Sequence, residues 1–384
     1  MERHSKKTRR AWLEQGLRLV PTPFLLSSCT SLLTKPSSHL EYQSILLASR
    51  PTKNKNIRQP ILMVASSLTG HRKEFLLPSL QNPHATILSN RDPKSVVVVP
   101  NGERKSYRVS IESGQVMQEY MSNNPYGFYG HGVESPDGQY LFLSEPGPTE
   151  KSGRVAIYDN ITGKFLDHLE GHGVHPHEIQ VVDQGKVFIL SNNGYKKSEK
   201  EYQRSFSSLS YIEVSSGKLL DQVFLPETHL HMTHLAVADN GDVAIGMDMS
   251  THPLKQRIPS KSVVAFRKAG ASIRILNADG PTKEMLGRHV LSVAYDEQNF
   301  IIGATNQYPN GPLTFWSSKK ERFLRSLPIE GSSGINYLRD RRRFLVTTHN
   351  SGLYEISSPD LEVVRHIPMN DMELYVDNHS SVLI

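Results

Sequence analysis

The 384 residues hold a single cysteine, Cys29. With no second thiol the chain forms no internal disulfide and offers no paired-cysteine zinc site. No stretch beyond the N-terminal region approaches the ~20 apolar residues of a transmembrane helix. Basic runs are scarce as well, the longest past the N-terminal region being Arg341-Arg342-Arg343. Of the net charge of +6, residues 1–28 carry +4, from Arg3, Lys6, Lys7, Arg9, Arg10 and Arg18 against Glu2 and Glu14. A nearly neutral remainder has no electrostatic footprint for nucleic acid, so no nucleic-acid partner is expected. There is no Gly-rich phosphate loop, no His-Glu-x-x-His, and no nucleophile elbow around Ser144. What is abundant argues against long helices: 26 Gly and 23 Pro are scattered between short apolar runs, and both residue types interrupt helices. With 37% hydrophobic residues the chain can still build a large core, and all-β architecture is the expectation.

The N-terminus reads Thr8-Arg9-Arg10-Ala11-Trp12-Leu13, then a modest apolar stretch ending Leu26-Ser27-Ser28-Cys29. This resembles a twin-arginine export signal closed by a lipobox, in which small residues fit a signal-peptidase cleft and the Cys29 thiol takes a diacylglycerol anchor. On that reading residues 1–28 are removed. The mature protein is then a periplasmic lipoprotein of a Gram-negative-type bacterium, tethered to a membrane without spanning it. The competing reading is a disordered basic tail with an incidental thiol. The Ser, Thr, Lys and Pro of the following segment read as a flexible linker over 29–58.

The body repeats itself. His131-Gly132-Val133-Glu134-Ser135-Pro136-Asp137-Gly138 precedes the strand-like Tyr140–Ser144, then Arg154–Asp159, then Phe165-Leu166. The same order recurs from His177, from His234, near His289 and near Gly334, with an earlier, degenerate copy from His84. Successive starts are 47, 46, 57, 55 and 45 residues apart, close to the ~40–50 of a four-stranded propeller blade. Six starts leave the segment before residue 84 and the segment 372–384. Joined, these would make a seventh blade with its inner strands from the C-terminus and its outer ones from the N-terminal side. The expected fold is thus all-β: a single seven-bladed β-propeller over 59–384, closed by its two terminal segments. A sandwich of short strands is the competing layout.

In such a propeller the residues just before each first strand and just after each second strand share one rim of the central channel. The first set is His84, His131, His177, His234 and His289; the second is Glu145, Asn192, Asp248, Asn306 and His349. Three readings of the rim stand open. A transition ion such as Cu, Fe or Zn could be held by neutral imidazoles and a carboxylate, the adjacent-blade set being His131, His177, Glu178 and His234. Alternatively each imidazole bonds a backbone carbonyl and braces the channel wall. The third option is binding of a small anionic ligand or a protein partner, with Arg288 as the cationic contributor. His172 and His175 lie near His177, and Met232, Met247 and Met249 near His234 could supply soft ligands or simply fill the core.

The segments Gly130–Gly138, Pro176-His177-Glu178, Ser191-Asn192-Asn193-Gly194, His234-Leu235-Ala236-Val237 and Asp377-Asn378-His379 resemble the bacterial family labelled domain of unknown function 1513. That resemblance implies an exported propeller similar to YVTN-repeat and quinoprotein amine dehydrogenase β-chain-like proteins, with no established activity. The leading functional expectation is an exported, lipid-anchored binding or assembly module, in metal handling. The alternative is a copper- or iron-dependent periplasmic oxidoreductase centred on the rim. If the lipobox reading holds, Cys29→Ala will move the exported protein from the membrane pellet to the soluble fraction. Mass spectrometry of the wild type finding an unmodified Cys29 or an intact residue 1 would refute it.

Overall fold

A computed structural model describes residues 42–383 except 52–57, 68, 78, 150–151, 195–205, 226–229, 250–262, 279–287, 307–310, 350–351 and 370–374. The expectations for Arg9, Arg10 and Cys29 lie outside the described residues. What is described is a ring of seven four-stranded antiparallel sheets. Two single-turn 3₁₀ segments, Asp183–Gly185 and Arg339–Arg341, are the only helical elements among the described residues.

Blade one joins three strands from the N-terminal side, Gln43–Pro51, Arg58–Ser66 and Arg72–Leu76, to the innermost strand Tyr375–Leu383. The innermost strands of blades two to seven are Pro83–Leu88, Gly132–Glu134, Pro176–Val182, His231–Val237, Val290–Asp296 and Ser332–Leu338. Closure by the two terminal segments is as expected, but its division is three strands to one, and the propeller starts at Gln43 instead of residue 59. The expected linker therefore contains a strand. Its run Ile45-Leu46-Leu47-Ala48 is buried on both faces: Leu46 and Ala48 pack with Leu338, Leu345 and Leu353 of blade seven, while Ile45 and Leu47 pack with Val96 and Val98 of blade two. A central blade strand covered on both sides reads as a continuous apolar run, without the polar alternation of an exposed sheet.

The same logic builds the other walls. Successive side chains of a strand point to opposite faces, so each blade lends apolar residues to two inter-blade cores. Phe142, Val155 and Ile157 meet Phe188 and Leu190, and Phe315 and Leu327 meet Ile335, Phe344 and Val346. The methionines belong to this packing: Met232, Met247 and Met249 are fully buried among Leu235, Val264 and Leu276. They fill the core and are not placed as soft ligands.

Six of the seven innermost strands carry a β-bulge near the start of the strand or, in blade one, around His379. A bulge re-aims side chains, because an extra residue on one strand breaks the alternation. Serine and threonine hydroxyls on second strands hold these kinks. Ser191 Oγ accepts the Glu178 N–H at 2.9 Å and donates to Thr233 O of the next blade at 2.9 Å. Thr305 Oγ1 donates to Ser333 O of the next blade, and Thr347 Oγ1 accepts the Gly334 N–H at 2.9 Å.

Removing residues 375–384 would strip the inner partner from Gln43–Pro51 and take buried Val376 out of the blade-seven interface. The truncated chain is expected to lose roughly 10 °C or more of thermal midpoint, at about 2 °C per kcal/mol for a large domain. An unchanged midpoint by calorimetry would rule the closure out as a stabilising element.

Candidate metal centre in the channel

Bulges in blades one, two, four and five bring their imidazoles to the channel, where they meet His131, which immediately precedes the innermost strand of blade three. His131 and His177 have ring centroids 4.4 Å apart, His177 and His234 5.1 Å, and His84 and His131 4.9 Å. The expected convergence of His131, His177 and His234 is present, with Glu178 behind them: its Oε2 lies 3.3 Å from His234 Nδ1. In blade four, Pro176 pairs with Asn192 and Ile179 with Leu190, so His177 and Glu178 together face the single residue Ser191. That is how two neighbouring residues on one strand both reach the channel.

A fifth member was not anticipated. His379, on the closing strand, lies 4.7 Å from His84, 4.8 Å from His131 and 4.9 Å from His234, ring to ring. The signal was available, because Asp377-Asn378-His379 stands on the innermost strand of blade one just as His84 does in blade two. His234 and His379 also meet across the channel, from blades five and one, so it is narrower at this level than a wide funnel. His289, at the start of blade six, bears electrostatically on His84, His177, His234 and His379. Crowding this tight needs glycine nearby: Gly130 has φ +91°, and a Cβ there would come within 2.4 Å of the His84 ring.

The second-strand residues are not on the rim. Asn192 and Asn306 are 0% and 1% exposed and bond to their own blades, Asn192 Nδ2 to Ser210 Oγ at 2.9 Å and Asn306 Nδ2 to Pro312 O at 3.0 Å. Glu145 is buried against Arg154 at 3.0 Å, His168 at 3.2 Å and Ser122 Oγ at 2.7 Å. A second strand lies one layer out from the axis and aims its side chains sideways between blades, which the shared-rim argument overlooked. Asp248 pairs with His231 in the ladder and bridges to His289. His349 stacks on Tyr375 at 4.4 Å, and its Nδ1–H donates to Val376 O at 2.6 Å, so it braces the closing strand. Arg288 accepts the Met249 N–H through its carbonyl at 2.9 Å, at the edge of blade six.

The wall-bracing reading can be tested on hydrogen bonds. His172, His231 and His349, outside the cluster, each bond a backbone carbonyl, of Gly217, Asn193 and Val376. Inside it, His84 Nε2, His131 Nε2, His234 Nδ1 and His379 Nε2 are buried with no hydrogen-bond partner, the His234 atom being out of alignment with Glu178; outside it the same holds of His231 Nε2 alone among the described histidines, so what marks the cluster is four such nitrogens gathered in one place. His131 and His234 are 4% and 3% exposed. Burying an unpaired polar nitrogen costs about 1–3 kcal/mol, so a structural role alone leaves this arrangement unexplained.

Burial also sets the charge. It pushes the His84 imidazole down to about 4, with help from His289. His131, His177, His234 and His379 are lowered in the same way by burial and then by one another. At neutral pH the cluster is uncharged, with lone pairs available for coordination. Glu178 moves the other way, up to about 7 through burial, opposed by hydrogen bonds from Leu235 N at 2.9 Å and Gln180 Nε2 at 3.0 Å.

Two sets of three could each hold one ion, His84/His131/His379 and His131/His177/His234, with ligand atoms within 4.8 Å of one another. At metal–nitrogen distances of about 2.0–2.1 Å, ligands on one ion can stand no more than ~4.2 Å apart, so binding would draw these nitrogens closer together. The fold and this site define the class: a seven-bladed β-propeller with five histidines of five blades gathered in its channel.

The chain belongs to the family described as protein of unknown function, DUF1513, which matches residues 78–383. No curated protein matches it. Among solved structures it is similar to Kuenenia stuttgartiensis hydrazine synthase, at 13% identity and a TM-score of 0.57, over 79% of this chain and 93% of that one. This likeness shows the propeller fold alone.

Depressed imidazoles make a pH prediction for metal-free protein. Between about 4 and 6.5 the unfolded chain binds protons that the folded cluster refuses, so stability is full above pH 6.5 and lost as pH falls. Glu178 contributes the opposite slope between its usual 4.5 and about 7, one group against five. The urea midpoint should therefore drop between pH 7 and 5. His84→Gln should remove roughly 2 kcal/mol of that pH dependence, pH 5 lying about 1.5 units below the usual 6.5, at about 1.4 kcal/mol per unit. A midpoint independent of pH over this interval would show that the imidazoles are not buried neutral.

Proposed function

We propose that this propeller is a transition-metal binding module, with the ion held in the channel by histidines of the set His84, His131, His177, His234 and His379 and with Glu178 beside them. The observation that carries the reading is the convergence of these rings, two sets of three having ligand atoms within 4.8 Å of one another, with four buried ring nitrogens among them left without a hydrogen-bond partner. Nitrogen ligands with one carboxylate suit Cu, Fe or Zn. Because both three-histidine sets draw on His131, one ion per chain is expected. The reading extends to location: Arg9-Arg10 and the sole cysteine Cys29 after Leu26-Ser27-Ser28 support a periplasmic lipoprotein tethered to the membrane.

A copper- or iron-dependent oxidoreductase is the second reading. It is favoured by the cavity of about 360 Å3 that adjoins His131 and His379, a side from which a small molecule could reach an ion.

Metal analysis of protein purified from its native compartment tests the proposal. About one transition ion per chain is expected. His131→Ala, which breaks both sets, should weaken binding by more than the 10–100-fold typical of an outer-shell partner. His84→Ala and His177→Ala each leave one set intact and should cost less, while His366→Ala, on the outermost strand of blade seven, should leave affinity unchanged. Wild-type protein with no stoichiometric ion, and no thermal shift with Zn2+ or Cu2+, would overturn the reading.

A further inference from the structure

We propose that the cavity beneath the histidines is the passage by which the ion reaches and leaves its site. This rests on the metal reading above. The five rings crowd together, with contacting pairs 4.4–6.0 Å apart between centroids, so they fill the channel at their own level except towards blade seven. Past them the inner strands run on along the cavity of about 360 Å3, which begins at His131, His379 and Glu178 and ends at Arg339, just beyond the last innermost strand.

Its lining is graded. Between the two ends stand Thr86, Gln180, Ser292, Asn336, Ser380 and Ser381, uncharged side chains bearing hydroxyl or amide oxygens. Such oxygens can replace some waters of a hydrated divalent cation without holding it firmly. At the inner end is the Glu178 carboxylate, 3.3 Å from His234 Nδ1, and then the imidazole nitrogens. At the outer mouth Arg339 pairs with both Asp239 and Glu297. Asp296 and Arg342 also act on Tyr337 of the lining, so these three carboxylates stand against two guanidinium groups near that mouth. A cation moving inward thus meets attraction, then weak neutral donors, then a carboxylate, then nitrogen ligands of rising affinity. The imidazole ring is also incomplete on one side: at blade seven the bulge holds Ser333 and Gly334 in place of a histidine, and Ile335, Asn336 and Tyr337 of that blade line the cavity.

Stopped-flow loading of metal-free protein with Co2+, followed by its visible absorbance, separates passage from site. Ala236 lines the cavity two residues past His234 on the same strand, and Ala236→Phe narrows it while leaving every histidine and Glu178 in the sequence. Loading, and release to excess chelator, should both slow about tenfold or more while Kd stays within about twofold, since a steric block raises the same barrier in both directions. The paired change Asp239→Asn with Glu297→Gln, at the exposed mouth, should slow loading and flatten its salt dependence. It serves as the independent test if Ala236→Phe folds poorly. Unchanged rates with unchanged Kd would remove the passage and leave the metal centre standing. Failure of the wild type to bind Co2+ at all would remove both.

Discussion

The pairing of Gln43–Pro51 with Tyr375–Leu383 is the constraint on which the other features rest. Without it six blades would form an arc with two open edges, and each edge would expose backbone donors and acceptors along with one face of an inter-blade core. With it, Val376 is packed between blades one and seven, held by the backbone and side chain of His349, and His379 arrives on the axis. Ring closure and site assembly are one event. The chain has no disulfide to enforce closure, so hydrogen bonds and apolar packing do it alone.

On that frame the bulges convert a scaffold into a site. A regular strand would send His177 and Glu178 to opposite faces. The extra residue opposite Ser191 sends both to the channel, and Ser191 ties the kink to Thr233 of the next blade. Repeating this device in four sheets, with His131 arriving from the connection into a fifth, gathers groups that share no local sequence contact. Dense packing around them excludes water, and exclusion of water keeps the imidazoles neutral and the Glu178 carboxyl partly protonated.

How much of this was legible in the sequence depends on what kind of signal each residue leaves. His84, His131, His177 and His234 were legible because they recur at one phase of a repeat, and repeat phase maps directly onto radial position in a propeller. Strand 43–51 was not, since a doubly buried strand lacks alternation and its four apolar residues sit among the Ser, Lys and Pro typical of a linker. His379 was hidden by the same boundary: with the closing blade divided differently, its innermost strand was not aligned with the others. Glu145, Asn192 and Asn306 were assigned to the correct end of the ring but the wrong radius. Repeat phase gives height along the axis, whereas direction across a blade is set by strand pleat and by partners such as Arg154 and Ser210, which no spacing reveals.

The position of His379 gives the site an order of assembly. Ribosomal synthesis delivers blades two to five, with four of the five clustered imidazoles, long before Tyr375–Leu383 emerges. Until that strand docks, the three-histidine set containing His379 cannot exist, and the set His131/His177/His234 stands at the mouth of an unclosed arc where water reaches it. A partly made chain would therefore hold an ion loosely and in contact with solvent. Full shielding comes only with the completed circle, so possession of a buried ion would mark a molecule that had finished folding.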